Sequence, residues 1–352
     1  MLPRALTALL FALFAGLIGL ACNDDGDEDS AQDATASASA TPSEPDKVVF
    51  MAGFKPQANL PFVGAYVAQE KGFFAEENLE VEIRHSNPGE NFRFLASGEV
   101  KFSTADSSAV LERWTADPQL PVVSLALIGQ TGQQGFAVLA DSGIETPADW
   151  AGKTAGYKGA TVTPDYLAIV DENEVDRASI QEVKVGFEPQ VLTEGAVDIF
   201  PVFLSNEPDT LRTLGFETNV FTAADDGAPT LGLTYIAMEE YVAENPDIAA
   251  RFIRAALKGI EYARVNPAEA VDIVMEYAPQ EDPEHQQYML ATEIGMAEGG
   301  AAAEGGIGAQ NLEQWQSLHD YLVEYGGLAA PVDDVSRVFT DEFVGTGDEP
   351  LE

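Results

Sequence analysis

Apolar and polar residues alternate strictly in "LEVEIRHS" (79–86), which sets Leu79, Val81 and Ile83 on one face of a strand. Further apolar runs predict strands: "KVVFMAG" (47–53), "VKFSTA" (100–105), "PVVSLALIG" (121–129), "QGFAVLAD" (134–141), "KTAGY" (153–157), "IQEVKVGF" (180–187), "VDIFPVFL" (197–204) and "TLGLTYIAM" (230–238). Helical periodicity falls between them, at 61–71, 90–97, 107–116, 164–173, 188–195 and 206–214. Such alternation predicts an α/β fold, with mostly parallel sheet covered by helices on both faces. From Asn245 onward the pattern is almost wholly helical: "PDIAARFIRAALKGIEYARVN", "PAEAVDIVMEYA", "PEHQQYMLATEIGMA" and "NLEQWQSLHDYLVEYG". Each begins near a Pro or an Asn and the last stops at a Gly, as capping chemistry requires.

The first residues follow another pattern. Arg4 precedes an apolar run, Ala5–Ala21, that ends at Cys22, the single cysteine. The run is short of the ~20 residues of a comfortable membrane span and has the layout of a secretory signal, so residues 1–21 are expected to be cleaved. "GLIGLAC" resembles a bacterial lipoprotein signal, which implies a lipidated Cys22 at the mature N-terminus. Gly19 stands where that signal usually has a larger aliphatic residue. Residues 22–46 hold acids, Ser, Ala, Thr and Pro that cannot build a core; they predict a disordered tether on the order of 25–30 Å long. The expected product is exported and held at a membrane.

Length and charge narrow the functions. A chain of 352 residues is comfortable for two lobes. Its 18 Lys+Arg against 59 Asp+Glu give a net charge of −41, which disfavours nucleic acid and anionic lipid as partners and suits a saline milieu. Catalytic signatures are thin. His85, His285 and His319 are far apart in sequence, there is no nucleophile elbow, C-x-x-C or phosphate loop, and Cys22 belongs to the signal. The Gly-rich "EGGAAAEGGIGAQ" (298–310) follows a helix and reads as a flexible loop. No catalytic residue, metal or resident cofactor is expected.

Several phrases carry a family resemblance: "AYVAQEKGFFAEENLEVEI" (65–83), "LASGEVKFSTAD" (95–106), "IETPADWAGKTAGY" (144–157), "NPDIAARFIRAALKGIEYARVNPAEAVDI" (245–273) and "NLEQWQSLHDYL" (311–322). In this order they resemble the substrate-binding proteins of ABC importers, in the branch whose members bind thiamine-pyrimidine precursors, alkanesulfonates and riboflavin. The resemblance implies a two-lobed, type II periplasmic-binding-protein-like fold with ligand held between two α/β lobes. Crossings near Ile128–Gln134 and Thr230–Tyr235 would make 47–135 plus 231–345 one lobe and 136–230 the other, with 346–352 a tail. It further implies a monomer that delivers a small molecule to a transmembrane permease.

Ligands of open α/β sheets bind beyond the C-terminal ends of the strands, so the residues after each strand are the candidates. Aromatics recur there (Phe54, Tyr157, Phe187, Phe203), as do amides (Gln57, Asn59, Asn91, Gln133, Gln134, Asn206), while Lys55 and Lys158 are the main cations. A sulfonate or phosphate site would need more donors; a flat, uncharged heteroaromatic with hydrogen-bonding edges fits better. "GFKPQANLPF", "GQTGQQGF" and "PVFLSNEPDTLRTLGF" look most like the riboflavin-binding subunits of bacterial importers. Thiamine-precursor binders usually carry an Asp-Trp-x-Pro-Asn type of phrase where Gly53-Phe54-Lys55-Pro56 stands here. On that resemblance the four aromatics would stack on a flavin ring, the amides would read its edge, and Asp106, Glu188 and Glu207 would accept from ribityl hydroxyls. Tyr235 completes the expected set. Phe203 also suits a core position, and Asp106 and Glu207 also suit the acidic first turn of a helix. A pyrimidine-precursor binder is the alternative, followed by an enzyme of cofactor-fragment metabolism on the same fold.

Overall fold

The computed structural model describes residues 44–345. The expected signal, Cys22, nearly all of the tether and the tail lie outside them. Ten strands form: β1 Asp46–Ala52, β2 Leu79–His85, β3 Phe102–Asp106, β4 Val122–Leu127, β5 Gln134–Leu139, β6 Thr154–Tyr157, β7 Gln181–Lys184, β8 Phe200–Phe203, β9 Thr218–Phe221 and β10 Leu233–Met238. Strand β1 starts inside the segment expected to be tether, because Asp46 pairs with Leu79 at the head of the β1–β2 ladder. Strand β9 has no counterpart in the sequence pattern. Its four residues, "TNVF", include Thr and Asn and bury no side chain fully, so no apolar run marks it.

The first lobe holds a five-stranded sheet of order β2-β1-β3-β10-β4, with β10 antiparallel to both neighbours. The second holds β8-β5-β9 and the parallel pair β6-β7. A parallel bridge between Ala155 and Ile199 joins β6 to the chain entering β8. The second lobe therefore repeats the first: β7-β6-β8-β5-β9, with β5 as the reversed strand. In each lobe the reversed strand is the one that arrives from the other lobe.

The two crossings run side by side. Gly232 N donates to Gly129 O and Gly129 N to Leu233 O, both at 2.9 Å. A Cβ on Gly129 would lie 2.7 Å from the Gly232 Cα, so no larger residue fits there. The first lobe packs around Phe252 on the helix Pro246–Val265, whose ring stacks on Phe102 at 4.1 Å and Phe74 at 5.4 Å. In that lobe Gly259 lies so close to the helix Leu60–Glu70 that a Cβ would sit 2.1 Å from Gly64 O. Phe136, Trp150 and Tyr166 form the equivalent aromatic nucleus of the second lobe. The Gly-rich 298–310 segment contains a helical turn, Ala302–Gly305, and is tied down where it ends. There Leu127 N donates to Gly308 O and Gln310 Nε2 to Thr340 O. No helix among the described residues is long and apolar enough to cross a membrane.

Candidate functional site

The helix Pro283–Ala297 starts at Asp282, whose carboxylate accepts from the backbone N–H groups of Glu284 and His285. Its buried face carries Met289, Leu290 and Ala297, but also Gln286 and Glu293. Two polar groups on an apolar face must find partners, because an unpaired buried polar atom costs about 1–3 kcal/mol. Glu293, 2% exposed, finds three. Its Oε2 accepts from Leu60 N at 2.5 Å, its Oε1 accepts from Ser205 Oγ at 3.0 Å and from Asn59 Nδ2, and the Gln133 side chain lies close enough to favour the charged form. Burial pushes the carboxyl up to about 7 against the downward pull of those donors. Gln286 Oε1 accepts from Ala58 N at 2.7 Å, while its Nε2 is buried without a partner.

This helix also joins the lobes. His285 Nδ1 meets Asp209 at 2.7 Å and its Nε2 meets Asn206 Oδ1 at 3.0 Å. Tyr288 donates to Leu204 O at 3.3 Å. A second junction is made by the helix Leu312–Glu324, from which Tyr321 donates to Asp165 at 2.9 Å and Tyr325 to Asp171 at 3.3 Å. Asp165 opens the helix Pro164–Glu172 just beyond the β6 exit, and its charge bears on Asp106 at the β3 exit. Burial, with Asp165 and Glu112 nearby, pushes Asp106 up to about 7 although Ser108 N donates to it. The strand exits of both lobes thus meet at a seam that holds the buried Glu293 and the half-buried Asp106 and Asp165.

The expected residues divide by what they already touch. Gln57 and Asn59 are buried in the seam: Gln57 Nε2 donates to Asn59 Oδ1 at 2.5 Å, and Asn59 in turn donates to Glu293. Gln133 is buried with them, its Oε1 unpartnered. Phe54 follows β1 by two residues, Tyr157 and Phe203 end β6 and β8, and all three are half-buried. Glu207 is buried against Lys158 Nζ and Phe203 N, the latter at 2.7 Å. Asn206 is engaged by His285.

Others are placed elsewhere. Asn91 uses its Nδ2 on Ser103 Oγ and Thr104 O, which fixes the end of β3. Tyr235 lies in the first lobe's core: its ring packs on Phe50 and Phe252, and its hydroxyl donates to Pro61 O. A central strand is covered on both faces, so that tyrosine has no open side. Gln134 is exposed in β5, since neighbours in a strand point to opposite faces and Gln133 takes the inner one. Phe187 is 65% exposed beside Lys158, and Glu188 next to it is exposed.

Sequence reasoning passed over Glu293, Gln286 and Ser205. The available signal was the spacing of 286, 289, 290, 293 and 297, which puts an amide and an acid on the apolar stripe of one helix.

A cavity of about 890 Å³ also opens beside the crossings, lined by Gln130, Thr131, Thr230, Leu231, Gln310 and Gln314 among others. No aromatic ring lines it, so it lacks a stacking surface for a flat ligand. Among the described residues no trio of His, Cys, Asp or Glu is placed to hold a metal ion.

Known proteins share this architecture. The chain is 30% identical over 304 residues to the formylaminopyrimidine-binding protein of Halalkalibacterium halodurans, covering 84% of this chain and 91% of that one. It is 29% identical over 300 residues to the riboflavin-binding protein RibY of Chloroflexus aurantiacus, covering 82% and 84%. The crystal structure of the periplasmic aliphatic sulphonate binding protein SsuA from Escherichia coli matches with a TM-score of 0.66 at 12% identity, covering 84% of this chain and 97% of that one. That match bears out the type II architecture. Residues 59–270 match the family described as NMT1/THI5 like. The chain belongs to the NMT1/THI5-like family.

Proposed function

We propose that the chain is an extracytoplasmic solute-binding protein of an ABC importer that holds a planar nitrogen heterocycle between its lobes and hands it to a permease. Riboflavin is the first ligand to test. The observation that carries this reading is the seam itself. Half-buried rings from both lobes stand at strand exits, Phe54 two residues past β1 and Tyr157 and Phe203 at the ends of β6 and β8. The buried amides Gln57 and Asn59 follow the β1 exit and lead to Glu293. Rings supply a stacking surface and amides supply an edge reader, which is the usual division of labour in small-molecule sites. Closure by hinge motion would use the paired crossings at Gly129 and Gly232. Lipid attachment at Cys22 would keep the protein at the membrane, and mass measurement of the mature N-terminus tests it.

Flavin fluorescence supplies the main experiment. Titrating riboflavin with the mature chain should quench emission at micromolar concentration, and the absence of quenching refutes riboflavin as ligand. An aminopyrimidine is the second reading, favoured by the similarity to the formylaminopyrimidine-binding protein. It would reveal itself as thermal stabilisation by aminopyrimidines without flavin binding.

A further inference from the structure

An amide side chain is a dipole that can be turned either way, and what turns it is the group behind it. Behind Asn59 and Gln133 stands one buried carboxylate. Above its value of about 7 Glu293 is ionised and can only accept, so Asn59 directs its NH₂ group toward it, and the Gln133 side chain, which favours the charged form, is placed to do the same. Asn59 Oδ1 is thereby turned onto Gln57 Nε2, at 2.5 Å, which leaves the Gln57 Oε1 as the acceptor this chain of hydrogen bonds does not use. Gln133, held the same way, keeps its Oε1 buried and unpartnered at the crossing between the lobes.

We infer that Glu293 is a positioning residue for ligand specificity: by accepting from Asn59 and Gln133 it turns the carbonyl oxygens of Gln57 and Gln133 toward the ligand. The ligand edge that meets them must carry N–H or O–H donors, as a ring imide or an exocyclic amine does. A head group that only accepts, such as a sulfonate, meets oxygen with oxygen and is rejected. This inference rests on the heterocycle-binding reading above and sharpens it from shape to hydrogen-bond polarity. It also assigns the unpartnered Gln133 Oε1 a partner that the protein itself does not provide.

Matched ligand pairs test it. One pair is riboflavin and 3-methylriboflavin, in which the ring N3–H is replaced by N–CH₃. The other is 4-amino-2-methylpyrimidine and its 4-dimethylamino analogue. The wild-type mature chain should bind the N–H member of whichever pair it accepts at least about tenfold more tightly than the methylated member. Glu293→Gln frees the amides to rotate and should bring that ratio within about threefold, with a cooperative thermal melt showing that the fold persists. If Glu293→Gln does not fold, Gln133→Met carries the test, since it removes the acceptor at similar volume. A ratio caused by the bulk of the methyl group alone would survive in Gln133→Met. Equal affinity for both members in the wild type, or an unchanged ratio in the variants that fold, overturns the inference while leaving heterocycle binding intact. Failure to bind either pair overturns the proposed function and this inference with it.

Discussion

Stability should fall as pH rises from about 5 to 8, and Glu293 should account for a separable part of the fall. Its carboxyl is 2% exposed and is pushed up to about 7 by burial, from an ordinary value near 4.5. One pKa unit corresponds to about 1.4 kcal/mol, so the rise amounts to about 3 kcal/mol of folded-state preference for the protonated form. The sign follows from proton counting. Between about 4.5 and 7 the folded state binds more protons than the unfolded state, so the slope of unfolding free energy against pH is negative. The penalty is absent below that window and complete above it. Two other contributions share this sign. Asp106 is also raised to about 7, and the net charge of −41 repels itself increasingly as carboxylates ionise. Urea unfolding at pH 5.5 and 8.0 in about 1 M NaCl, where the screening length falls to about 3 Å, suppresses the general charge effect. Comparison with Glu293→Gln isolates the residue. The wild type should lose about 2–3 kcal/mol more than the variant between the two pH values. Equal losses in the two proteins would refute the account of Glu293 as a carboxylate held ionised at a desolvation cost.

Three further outcomes are expected. Phe54→Leu and Tyr157→Ala should each weaken ligand binding about three- to tenfold, read by fluorescence titration, with a melting temperature within about 2 °C of wild type. Gly259→Ala, which sets a methyl against Gly64 O, should cost at least about 1–3 kcal/mol in urea unfolding without changing the ligand-pair ratio. Raising NaCl from about 0.1 to 1 M should raise the melting temperature, because salt screens the repulsion of an acidic chain; a lower value would refute the charge argument.

Local pattern made the strand–helix order legible, β9 excepted, while the crossings were expected from the family resemblance rather than from any local signal. Apolar runs and caps are local properties. The site was legible in kind more than in membership. Gln57, Asn59 and Gln133 stood out because amides follow strands there. Glu293, which accepts from Asn59 and ends that chain of hydrogen bonds, comes more than 200 residues after Asn59 and looks like one more acid among 59. Asn91 and Tyr235 looked the same in sequence, yet their polar atoms are already spent on Ser103, Thr104 and Pro61. Polar atoms near a strand end can be consumed by the backbone they stabilise, and only three-dimensional contacts say which are spare.

The reversed strands have a consequence for assembly. In the first lobe β10 lies between β3 and β4, so these two strands share no hydrogen bonds with each other. Their common neighbour comes only after the whole second lobe in the chain, with Thr234 paired to both Ala105 and Leu127. A nascent chain that has emerged through Leu127 therefore has β2, β1 and β3 side by side but lacks the strand that joins β4 to them. Such non-local pairings are slow to form, and the second lobe, whose strands all lie within 134–221, can complete its own order first. The amide-and-carboxylate seam needs Glu293, so it can close only after the helix Pro283–Ala297 has emerged. Truncations ending before residue 233 should leave the earlier-formed lobe sound and β4 of the first lobe unjoined to β3.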